Sequence, residues 1–150
     1  MKLINDLYKI SALTVTDANG CTYTNMTKKL IQYLSDILGI KIKSYQAIKG
    51  GDISNAYLII TSTEQLFIKE FYGKNAINMF LAEKTGLETL AKTKTIATPE
   101  VYHCEPFKNG AFILMQYVES KSPTNKDFAN LGTQLANLHQ TNAFEYGLHQ

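Results

Sequence analysis

Leu66-Phe67-Ile68-Lys69-Glu70-Phe71 is followed by Met79-Phe80-Leu81-Ala82-Glu83-Lys84-Thr85-Gly86-Leu87, and the way these two stretches face each other decides the fold. The first reads as a strand, in which period-two alternation places Phe67, Lys69 and Phe71 on one face. The second reads as a helix. At 100° per residue, Met79, Phe80, Leu87 and Leu90 fall within one arc of about 100°, and Glu83 projects into its middle. Taken singly, the lysine could snorkel from a sheet edge and the glutamate could reach water. Taken together they suggest something else. A buried charge costs several kcal/mol unless it is paired, so a lysine on a strand and a glutamate on the next helix are expected to meet as an ion pair.

Working outward, Leu30, Ile31, Leu34, Ile37 and Leu38 recur at helical spacing from Met26 onward, with Thr27 as a possible N-cap and Gly39 as the residue just past the helix. Residues 41–49 alternate. After Gly50-Gly51-Asp52, residues 55–61 and 66–71 form two strand-like runs joined by Ser62-Thr63-Glu64-Gln65. A helix over 75–92 closes at Thr98-Pro99. Strands at Val101–Glu105 and Ala111–Val118 then flank a five-residue loop from Pro106 to Gly110. Ser120 to Asn125 is a polar linker, and Phe128, Leu131, Leu135 and Leu138 mark a third helix whose start could be boxed by Thr124 and Asp127. Residues 1–25 show no sustained period, and Asp17-Ala18-Asn19-Gly20 is turn chemistry, so a loosely structured extension is expected there. Strands separated by tight turns argue for an antiparallel sheet, which makes the class α+β and not doubly wound α/β.

The 150 residues, 45% hydrophobic and 19% charged, suit one domain or a little more. The longest apolar stretches, Ala56–Ile60 and Ala111–Met115, fall far short of the ~20 residues of a membrane helix. A net charge of +2, spread without blocks, leaves no footprint for nucleic acid or a membrane surface. Every basic residue is lysine, so a phosphate site must rely on Lys, backbone N–H groups or a metal. Cys21 and Cys104 stand in no metal-ligand spacing and read as two reduced thiols, and no metal-ligating set is expected in the chain. The N-terminus lacks a signal-peptide pattern, which points to the cytoplasm.

Lys49-Gly50-Gly51-Asp52-Ile53-Ser54 lies between the first two strands, where paired glycines let the backbone approach a phosphate. Gly-Gly-Asp also makes an ordinary turn, and it fits neither the Walker nor the dinucleotide pattern. The serial order is more telling. A glycine-bearing hairpin, a strand lysine, a helix glutamate and a strand running into a linker is the order of a protein-kinase-like N-lobe.

Within that order, Gly50 to Tyr57, Phe67-Ile68-Lys69, Met79 to Leu87, Thr95-Ile96-Ala97-Thr98-Pro99 and Leu131 to His139 resemble the fructosamine (ketoamine) kinase family over about residues 26–150. The resemblance implies a kinase-like fold related to aminoglycoside phosphotransferases. It also implies an enzyme that uses ATP and magnesium to phosphorylate a sugar hydroxyl of ketoamines on glycated amines, which then decompose and release the amine. Carried over by residue, Gly50, Gly51, Asp52, Ile53 and Ser54 would cover the ATP phosphates. Lys69 would hold the α/β-phosphates and Glu83 would position Lys69. Met115 would stand at the gatekeeper position, and backbone groups of Gln116 and Val118 would bond the adenine edge. Where members commonly have an asparagine after the lysine strand, this chain has Glu70-Phe71.

The His-Gly-Asp catalytic loop and the later metal-binding aspartate of the family have no counterpart here, and His139 and His149 are each followed by glutamine. His103 and His139 read as structural. The implied organisation is an extension over 1–25, an N-lobe over 26–119, and a linker with the first C-lobe helix over 120–150. The chain alone is expected to be inactive, with the magnesium ligands in the remainder of the C-lobe. Two alternatives stand beside this reading: another small-molecule kinase of the aminoglycoside or choline type, or a naturally short non-catalytic nucleotide-binding or interaction module.

Overall fold

A computed structural model describes residues 14–16, 22–24, 26, 28–48 and 53–141. Its centre is a five-stranded antiparallel sheet built from β3 (Ser44–Ile48), β4 (Asn55–Ile60), β5 (Gln65–Tyr72), β6 (Val101–Phe107) and β7 (Gly110–Gln116), in the order β3-β4-β5-β7-β6. Two short strands, β1 (Thr14–Thr16) and β2 (Thr22–Thr24), pair separately with Thr14 opposite Thr24. This small ladder falls within the stretch expected to be loosely structured. The Thr27 cap and the turn at 17–20 lie outside the described residues. Among the described residues no helix is long and apolar enough to cross a membrane.

Each face of the sheet is covered by one helix. α1 (Lys28–Leu38) buries Leu30 and Leu34, four residues apart, against Tyr57, Ile59, Leu66, Ile68, Phe112 and Leu114. It ends at Gly39, whose φ of 63° is a left-handed conformation that glycine adopts without penalty, as the sequence suggested. α2 (Ala76–Thr93) buries Ala76 and Phe80 on the opposite face, against Ala111, Ile113 and Met115. β7 is therefore buried on both faces from Ala111 to Met115, which explains its unbroken apolar run. The arc expected for α2 holds for Phe80, Met79 and Leu87, but Leu90 is exposed because the packing of α2 on the sheet ends at Leu87.

The second hairpin differs from the expectation. Pro106 and Phe107 belong to β6, and the turn is the pair Lys108-Asn109 in place of a five-residue loop. Proline is tolerated because β6 is an edge strand, where no ladder hydrogen bond is lost. The turn places Lys108 at φ 53°, and Gly110 lies so near β5 that a Cβ on it would stand 2.1 Å from the Phe71 carbonyl oxygen. Only glycine fits there. β7 ends at Gln116, two residues short of Val118.

α3 (Asn125–His139) opens with the expected capping box. The Thr124 hydroxyl accepts from the Asp127 N–H, and the Asp127 carboxylate accepts from the Thr124 N–H. The Lys121 ammonium, the Thr124 N–H and the Thr124 hydroxyl, which also donates to Asp127 at 2.8 Å, hold the Asp127 carboxyl well below the usual carboxylate range. No residue of α3 is buried, and Phe128, Leu131 and Leu135 form an exposed apolar stripe.

Candidate nucleotide site

Lys69 lies in the middle of β5, opposite Ala56 of β4 on one side and Ile113 of β7 on the other. Strand alternation turns Leu66, Ile68 and Glu70 toward α1 and leaves Phe67, Lys69 and Phe71 for the α2 face. On α2, Glu83 follows Ala76 and Phe80 by seven and three residues, which brings it over the same face of the sheet. The expected pair is present. Lys69 Nζ stands 2.7 Å from Glu83 Oε1 and 2.9 Å from Oε2. The side chains are 26% and 30% exposed, so the pair is shielded without being sealed. The neighbouring Lys84 is half-buried and pairs with Glu88 at 3.7 Å.

An ammonium has three donors, and two of Lys69's point at Glu83. Met115 is buried on the same face, opposite Phe67, so an apolar wall adjoins the charge. At the end of β7, the Gln116 N–H donates to the Glu100 carbonyl at 2.8 Å, and the Gln116 side-chain carbonyl accepts from the Glu100 N–H at 3.4 Å. Val118 lies beyond the strand and is exposed, as is Ile53, whereas Ser54 is half-buried. Gly50, Gly51 and Asp52 lie outside the described residues. Among the described residues, no three His, Cys, Asp or Glu side chains stand close enough to hold a metal ion.

Two polar clusters on the α1 face escape the sequence. Glu70, 2% exposed, accepts from the Tyr57 hydroxyl at 3.2 Å and from the Tyr72 hydroxyl at 3.0 Å, and burial pushes its carboxyl above the ordinary carboxylate range. Burial also pushes the Tyr57 hydroxyl well up. The signal for Glu70 was available, since alternation puts it in line with Leu66 and Ile68. The second cluster had no local signal. Tyr33 of α1 donates to Glu105 of β6 at 2.6 Å across 72 residues of sequence, and His103 Nδ1 lies 3.1 Å from the other oxygen of Glu105. The Tyr33 hydroxyl, followed by His103, lowers the Glu105 carboxyl. Cys104 forms no disulfide among the described residues, and burial raises its thiol. A cleft of about 440 Å³ also opens on this face, lined by Ile37, Leu38, Glu64, Leu66, Glu100, Val101, Tyr102 and His103. None of the residues expected at the nucleotide lines it.

An antiparallel five-stranded sheet with a strand lysine held by a helix glutamate defines the N-lobe of a protein-kinase-like fold. Solved structures agree. The crystal structure of a putative fructosamine-3-kinase from Haemophilus somnus superposes with a TM-score of 0.66 at 26% identity, covering 76% of this chain and 39% of that one. A spectinomycin phosphotransferase solved with ADP and spectinomycin shares the fold at a TM-score of 0.56 and 21% identity, covering 79% of this chain and 39% of its own. Residues 26–150 match the family described as fructosamine kinase, and the chain belongs to that family. A probable ketoamine kinase of Vibrio parahaemolyticus is 33% identical over 118 residues, covering 77% of this chain. One from Pasteurella multocida is 33% identical over 127 residues, covering 82% of it. The chain spans 41% and 44% of the length of these two relatives.

Proposed function

We propose that this chain is the ATP-binding part of a ketoamine kinase, which transfers phosphate to a sugar hydroxyl of a glycated amine. The observation that carries this reading is the Lys69–Glu83 pair at 2.7 Å, set beside an apolar wall in a chain of the fructosamine kinase family. Phosphoryl transfer needs little covalent chemistry from the protein and depends on positioning and charge stabilisation. Lys69 directs its third N–H at the α/β-phosphates, and Glu83 keeps that ammonium from drifting. Met115 packs beside the adenine, the Gln116 carbonyl and Val118 N–H meet its edge, and the backbone of 50–54 covers the phosphates. Magnesium, when bound, would neutralise phosphate charge, with ligands supplied from outside the residues described. The 33% identity to probable ketoamine kinases favours a ketoamine acceptor over an aminoglycoside, for which only the fold speaks.

The same reading makes the chain alone inactive, because it carries no His-Gly-Asp loop to orient the hydroxyl. Incubated with ATP, magnesium and a model fructosamine, the purified chain is expected to yield no phosphorylated product. Product that disappears with Lys69→Ala would show instead that the catalytic groups are already present.

A further inference from the structure

We infer that Glu70 is a positioning residue for the nucleotide site, holding together from behind the two strand ends between which Lys69 is placed. This rests on the reading of Lys69 as a phosphate ligand. Lys69 and Glu70 are consecutive and face opposite sides of the sheet. On the α1 side, the Glu70 carboxylate takes one hydroxyl from β4 (Tyr57, 3.2 Å) and one from the last residue of β5 (Tyr72, 3.0 Å). Asn55, its cross-strand partner and the first residue of β4, stands beside the same carboxylate. β5 leads from Tyr72 through Gly73 into α2, the helix that carries Glu83. One carboxylate therefore ties the start of β4 to the end of β5, with Lys69 between them and Glu83 on the helix that follows.

A leucine would fill this position at lower desolvation cost, as Leu66 and Ile68 do on the same face. The buried carboxylate is thus better explained by the bonds it makes than by the volume it fills. Among the described residues, the groups facing it are Asn55 and Tyr57 of β4, Tyr72 of β5, Tyr45 of β3 and the cation Lys108 in the β6–β7 turn. Burial outweighs these neutral donors, so the native protein keeps a proton on Glu70 at a higher pH than the unfolded chain does, and stability falls as pH rises through that range.

The test uses the purified chain as wild type, Glu70→Leu and Glu70→Gln. ATP titration is combined with amide hydrogen exchange and with thermal melts between pH 4 and 8. Glu70→Leu removes the acceptor and is expected to weaken ATP binding by about fivefold or more while melting no lower than wild type, and Glu70→Gln, which keeps an acceptor, recovers most of that loss. Exchange at Asn55–Tyr57 and Lys69 should quicken in Glu70→Leu. The wild-type melt should fall with rising pH above the ordinary carboxylate range, where that of Glu70→Gln stays flatter. Unchanged ATP affinity and unchanged exchange in Glu70→Leu would overturn the inference. If wild type itself binds no ATP, the proposed function fails, and exchange alone then decides whether Glu70 holds the strands. If Glu70→Leu does not fold, Tyr72→Phe, which removes one of the bonded hydroxyls, takes its place, and unchanged ATP affinity and unchanged exchange in that variant would overturn the inference.

Discussion

The two faces of the central sheet each hold a glutamate against β5, and they treat it in opposite ways. On the α2 face, Glu83 meets a full positive charge at 2.7 Å with about a quarter to a third of both side chains open to water. On the α1 face, Glu70 is 2% exposed and, among the described residues, is hydrogen-bonded by the neutral hydroxyls of Tyr57 and Tyr72. On the proposed nucleotide face the charge stays accessible. A face that must hold strands together can bury a carboxylate outright, at the expense of a carboxyl displaced above its ordinary range.

The largest expected effect breaks the exposed half of this contrast. Glu83→Ala leaves Lys69 without its counter-charge in a partly shielded site, and urea unfolding should register a loss of ~1–2 kcal/mol, between the limits for exposed and buried pairs. A double-mutant cycle with Lys69→Met isolates the pair from the packing around it. A coupling of zero would mean that solvent already screens the two charges fully.

Next in size is a contrast within the α1 face. Glu70 and Glu105 flank Phe112 in one cross-strand row, yet their carboxyls move in opposite directions. Glu105 is lowered by the Tyr33 hydroxyl, so its contribution is complete above the ordinary carboxylate range and is lost as pH falls through its native value. Glu105→Gln should therefore flatten the acid side of the stability profile, and Glu70→Gln the side above it. Thermal melts across pH distinguish the two, and parallel profiles for both variants would erase the contrast.

How far the sequence foretold these arrangements depends on how local the signal was. The alternation of Phe67, Lys69 and Phe71 and the helical arc around Glu83 each span a few residues, and both were legible. So were the Gly39 stop and the Thr124–Asp127 box, because each is one residue or one turn of chemistry. Pro106 misled because a proline that breaks a central strand is harmless on an edge, and edge position is a property of the whole sheet. Leu90 misled because helical period does not say where the underlying sheet ends. Glu70 sat in plain alternation with Leu66, Ile68 and Tyr72, but its donor Tyr57 becomes a partner only once the β4–β5 register is set. Gly50, Gly51 and Asp52 of the glycine segment lie outside the described residues.

The smallest expected effect concerns the start of the chain. Met26 is 3% exposed and packs with Leu30 and Leu34 in the core, while family similarity also begins at this residue. A protein beginning at Met26 should melt within about 1 kcal/mol of the full chain. A loss of several kcal/mol would make the residues before it part of the core.

The central claim is that the shielded, open pair on the α2 face is built to receive nucleotide phosphates. Isothermal titration of the purified chain with ATP tests it most directly, run in parallel on Lys69→Ala and Glu83→Ala variants shown by circular dichroism to be folded. The account predicts saturable binding by wild type, loss of about tenfold or more in affinity with Lys69→Ala, and a smaller loss with Glu83→Ala. Equal affinity in all three proteins would contradict it.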